Sequence, residues 1–66
     1  MDPDKVRKWV HDLNNRVAVV LSHAEMMQLP QLEQLPPKAL ERAKAIEEKA
    51  LEIRQLIQEM REHLLG

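Results

Sequence analysis

The residues best equipped for chemistry stand together: His11, Asp12, Leu13, Asn14 and Asn15 in a chain of 66 residues. A neutral imidazole attacks through the nitrogen that lacks the proton. A neighbouring carboxylate can hold the N–H of the other nitrogen and so leave the first free. On a helix Asn15 lies one turn beyond His11, at i+4, so its amide shares the imidazole's face. His23 and His63 have no comparable neighbours, and His63 falls in a C-terminal turn where a cation suits the helix dipole. A metal site is not expected: adjacent His11 and Asp12 diverge by about 100° around a helix axis. The three histidines are scattered and cysteine is absent.

Two helices are needed to position these residues, and the sequence marks their ends. Asp2-Pro3-Asp4 supplies an N-cap acceptor, a proline whose missing N–H costs nothing in the first turn, and a carboxylate at the positive end of the dipole. No breaker follows until Pro30, and Pro30, Pro36 and Pro37 forbid a continuous helix through the stretch between them. A second run without Gly or Pro extends to Leu65, with Gly66 as its stop. The sequence therefore predicts one domain: helix 1 over about 3–29, a loop over about 30–36 and helix 2 over about 37–65. A connection that short favours antiparallel neighbours.

Apolar residues at Val6, Val10, Leu13, Val17, Val20, Ala24 and Met27 alternate steps of four and three, as a helix-packing seam requires. The second seam reads Ala39, Ala43, Ile46, Ala50, Ile53, Ile57, Met60 and Leu64. Relative to the first seam His11 lies roughly 145° around the axis, pointing outward among polar and small neighbours. Arg7 and Lys8 precede it by a turn, while Asn14, Ala18 and Ser22 continue the outer strip as a candidate docking surface. Further large apolar residues, namely Trp9, Val19, Leu21, Met26, Leu40, Leu51 and Leu56, fall off both seams. A single hairpin has no interior for them. The fold class expected is thus all-α, an antiparallel two-helix hairpin that pairs with a second copy as a homodimeric four-helix bundle.

Composition narrows the functions. Ten basic and eleven acidic residues leave a formal charge of -1, so no broad cationic surface exists for nucleic acid. The longest apolar stretch, Val17 to Leu21, is far short of the roughly 20 residues that span a bilayer. With no cysteine there are no disulfides, which suits a reducing compartment, and a cytoplasmic location is expected.

The run His11-Asp12-Leu13-Asn14-Asn15, followed by Arg16-Val17-Ala18-Val19-Val20-Leu21-Ser22-His23-Ala24-Glu25-Met26-Met27, resembles the dimerisation and histidine phosphotransfer domain of sensor histidine kinases. The similarity is to the subgroup that reads His-Asp-Phe-Asn-Asn before an apolar run and Ala-Glu-Leu. It covers residues 9–27 as a motif and the whole chain as helix, proline-containing loop, helix. By that resemblance His11 is the phosphoacceptor, Asp12 orients or deprotonates it, and Asn15 helps place a water that dephosphorylates a partner's aspartyl phosphate. The implied partners are a second copy, a response-regulator receiver domain and a kinase catalytic domain acting in trans. The chain itself would hold no cofactor, with ATP bound only by that separate catalytic domain and magnesium at the partner. Leu13 stands where the family has Phe, Arg16 where it has an apolar residue, and no nucleotide-binding segment with a Gly-rich lid is present. A reading of a different class is a non-catalytic dimerisation or assembly module in which His11 is vestigial.

Overall fold

The computed structural model describes residues 2–66. It contains two helices, α1 (Pro3–Met26) and α2 (Pro37–Leu65), packed against each other in a body 46 × 16 × 13 Å. The start of α1 is as its sequence implies: Asp2 is extended, and its carboxylate accepts a hydrogen bond from the Asp4 backbone N–H at 2.9 Å. The start of α2 differs chemically. Its N-cap is Pro36, with no side-chain cap, so Pro37 opens the helix by its fixed φ alone.

The end of α1 lies at Met26, three residues before the expected boundary at 29. Pro30 disfavours helical geometry at Leu29, and the chain responds by tightening before it arrives there. The Gln28 N–H donates to the Glu25 carbonyl and the Leu29 N–H to the Met26 carbonyl, both at 3.1 Å, which is i→i−3 bonding. A further turn follows in which Leu32 and Glu33 both donate to the Leu29 carbonyl. The expected loop at 30–36 thus becomes a connection of residues 27–36 with two tight turns in it.

The antiparallel arrangement follows from which residues meet. Val6 and Val10, early in α1, cluster with Ile57, late in α2, and Leu65 packs against them. At the other end Gln28 reaches Glu47 at 3.4 Å. The interior of the hairpin is Val6, Val10, Leu21 and Ala24 from α1 with Ala43, Ala50 and Ile57 from α2. Three of these seven are alanines, whose small side chains let the helix backbones approach closely where they cross.

This contact line is rotated from the expected seams. Leu21, placed off the seam, is buried, whereas Leu13, Val20, Ile46, Ile53, Met60 and Leu64 are exposed. The reason is geometric: one neighbour covers only a narrow strip of a helix, and each apolar stripe here is wider than that strip. Helical register places Trp9, Leu13 and Val20 within about 40° of one another, and Ile46, Ile53, Met60 and Leu64 likewise. Both sets flank the contact line on the same side of the hairpin. Val17, Val20, Ala45, Ile46, Ala50 and Ile53 consequently line one groove of about 420 Å³ with scarcely a polar atom in it, edged by Arg16 and Lys49.

Candidate phosphoacceptor site

His11 stands in the third turn of α1, on the side of the hairpin away from that apolar groove. The helix there is held by the Val6 and Val10 contacts to Ile57, five residues and one residue before the imidazole. Those contacts fix the backbone under His11 while its ring stays exposed. The ring has one partner: Asn15 Nδ2 lies 3.2 Å from His11 Nε2. An amide N–H donates, so this contact selects the neutral tautomer in which Nε2 accepts and Nδ1 carries the proton. That tautomer keeps on Nε2 the lone pair a nucleophile needs, with the Asn15 amide resting on it.

The i+4 relation of His11 and Asn15 was legible in sequence, but the ring contact divides the roles differently from the expectation. Asp12 was expected to orient the imidazole. Its side chain makes no hydrogen bond among the described residues, and its backbone carbonyl instead accepts from the Arg16 guanidinium at 3.2 Å. The cause is the step of about 100° between consecutive helical residues, which carries the Asp12 carboxylate off the imidazole's face. The orienting contact in this hairpin is Asn15.

The five residues expected to receive a partner are spread along α1 rather than gathered at one point. Arg7, His11 and Asn14 line a cleft of about 200 Å³ with Val10 and, from α2, Arg61 and Leu65. Asn14 and Ala18 belong to the adjoining groove of about 640 Å³, opposite Leu51, Arg54, Gln55 and Gln58. Lys8 and Ser22 are exposed on α1 and line neither of these grooves. The residues of α2 were missed by sequence reading. Arg54, Gln55, Gln58 and Arg61 belong to no motif of the sequence, and only the register between the helices sets Arg61 beside His11 and the other three across from Asn14 and Ala18. Arg7 donates to the Asp4 carboxylate at 3.0 Å, an exposed pair of small energetic weight.

Among the described residues no group of three or more His, Asp or Glu side chains is arranged to hold a metal ion. No helix among them is long and apolar enough to cross a membrane. The hairpin offers two unlike sides: an open apolar groove, and an arginine-bearing groove with His11 at its end. No family model, curated protein or solved structure matches this chain.

Proposed function

We propose that the chain is a phosphotransfer module of two-component signalling, in which His11 accepts a phosphoryl group and passes it to or from a response-regulator receiver domain. The observation that carries the reading is the exposed imidazole whose Nε2 faces the Asn15 amide at 3.2 Å, within the motif that resembles the histidine-kinase phosphotransfer domain. In the transfer the Nε2 lone pair forms the N–P bond as the P–O bond to the donor's aspartate breaks, and the electron pair leaves with that carboxylate. Before attack the Asn15 amide must swing off Nε2. Once displaced it is free to hold a water for the reverse task, hydrolysis of the aspartyl phosphate on the receiver. Asp12, off the ring's face, receives the proton that Nδ1 gives up only through a bridging water.

The apolar groove supports the rest of the proposal, a homodimeric four-helix bundle. Four large apolar side chains, Val6, Val10, Leu21 and Ile57, are buried in the hairpin, against thirteen exposed. A second copy laid on the same groove would cover Val20, Ile46 and Ile53 by twofold symmetry and leave both His11 sites on the outside. ATP enters the scheme only through a separate catalytic domain acting in trans, with magnesium at the partner, and the module works in the cytoplasm. The groove alone would equally support an assembly module that makes no use of His11. Uptake of acid-labile phosphate from phosphorylated receiver domains separates the two: the phosphotransfer reading requires it in the wild type and its loss in His11→Gln, and the assembly reading predicts none in either.

A further inference from the structure

We infer that Arg61 of α2, acting with Arg7 of α1, clamps the phosphoryl group carried by His11, so that the phosphate site is built from both helices. The inference rests on His11 being the phosphoacceptor, and it adds a residue that lies outside the His11 motif. The cleft beside the imidazole is lined by Arg7, Val10, His11, Asn14, Arg61 and Leu65. Apart from His11, its only ionisable side chains are the two guanidinium groups. Both arginines also line the neighbouring cleft, of about 330 Å³, that opens toward the end of α2.

Of the nearby carboxylates, Asp4 pairs with Arg7, and none pairs with Arg61 among the described residues. Asp4 engages one Nη of Arg7 at 3.0 Å, and Glu62 accepts from the Gln58 amide at 3.2 Å; neither lines the His11 cleft. Arg61 has no ion pair or side-chain hydrogen bond among the described residues. The end of α2 adds about half a negative charge, against the full cation of Arg61. The unpaired Arg61 guanidinium, beside an Arg7 that gives one Nη to Asp4, leaves an excess of positive charge next to the nucleophile, and a phosphorylated imidazole brings about two negative charges to that spot. The planar fork of an arginine matches a pair of phosphoryl oxygens. Because Arg7 and Arg61 come from different helices, the clamp exists only while the hairpin is closed at this end.

A small phosphoryl donor, phosphoramidate, tests the clamp without any receiver domain. The imidazole lone pair forms the new N–P bond, ammonia leaves with the electron pair of the donor's P–N bond, and the ring returns its other proton to water. Phosphorus NMR on the full chain follows each histidine, with His11→Gln identifying the His11 signal and exposed His23, far along α1, as internal standard. In wild type His11 should be phosphorylated faster than His23. Arg61→Met keeps an apolar stem over Val10 and Leu65 but removes the charge. It should slow uptake at His11 by about five- to tenfold, a buried-donor effect reduced by solvent, with His23 unchanged and helical circular dichroism intact. Arg61→Lys should recover a large part of the rate. Equal His11 rates in wild type and Arg61→Met, or a parallel fall at His11 and His23, would overturn the clamp. If Arg61→Met does not fold, the wild type decides: His11 must lead His23 and lose that lead at about 1 M salt, and the absence of a lead overturns the proposal. The same preparations given a phosphorylated receiver domain keep the two ideas apart. Failure there with success with phosphoramidate removes the phosphotransfer reading and leaves an anion clamp, whereas the reverse removes the clamp alone.

Discussion

His11→Gln removes an exposed ring whose only hydrogen bond is to another exposed side chain, so its effect should fall on chemistry and not on folding. Substitutions of that kind change stability by at most about 0.5 kcal/mol, and the melting midpoint should stay within about 4 °C of wild type by circular dichroism. Asn15→Ala makes a finer cut. Losing the bond to Nε2 should alter phosphate uptake by about tenfold at most, while slowing loss of phosphate from a receiver's aspartate by about tenfold or more, as loss of a water-positioning group does. Equal effects on both rates, read by autoradiography of the two proteins, would mean that Asn15 serves only to hold the ring. The sequence disclosed this much of the site because a motif within two helical turns needs only the 3.6-residue period to be placed in space. That same period should have warned against Asp12 as the orienting group, since an adjacent residue points elsewhere. Arg61 was not legible at all: it meets His11 only through the register of two helices, which no local spacing encodes.

At the scale of the helices, the caps and the prolines were plain in the sequence because their effects are local. Asp2 caps α1 and Pro37 opens α2 where their chemistry requires. The end of α1 moved because the restriction that Pro30 places on Leu29 is relieved by tight turns that begin earlier. Which edge of each apolar stripe faces the sister helix was beyond periodicity, since Val20 and Leu21 are both apolar and neighbouring. Close approach at Ala24, Ala43 and Ala50 decides it, and turns Leu21 inward and Val20 outward. Two substitutions four residues apart test this assignment. Ile57 is 3% exposed and Ile53 46%. Ile57→Ala should lower stability by about 2–3 kcal/mol, the lower part of the range for such truncations because the hairpin interior is thin. Ile53→Ala should cost well under half as much in any state where the groove is open. Urea unfolding of both at a concentration where sedimentation shows the monomer measures the difference, and equal midpoint shifts there would mean that the contact line is drawn wrongly.

The whole molecule is a thin hairpin with one side dry and one side charged, and that asymmetry is what joins fold to function in the proposed reading. If the apolar groove is where a second copy lies, sedimentation equilibrium at micromolar concentration gives about twice the chain mass of 7.7 kDa. Ile53→Asp then returns the chain to monomer by placing a charge in a dry interface. A dimer that survives Ile53→Asp would show that another surface holds it together. The sequence forecast the pair of helices but could not divide their apolar residues between hairpin and partner, because one stripe serves both. Phosphate transfer at His11 can itself be measured. The full chain is incubated with a panel of phosphorylated receiver domains, and acid-labile, base-stable phosphate is counted on wild type and on His11→Gln. A phosphoacceptor at His11 requires transfer to wild type from at least one receiver and none to His11→Gln, with His23 and His63 present in both. Equal labelling of the two proteins, or no labelling of wild type by any receiver, would contradict it.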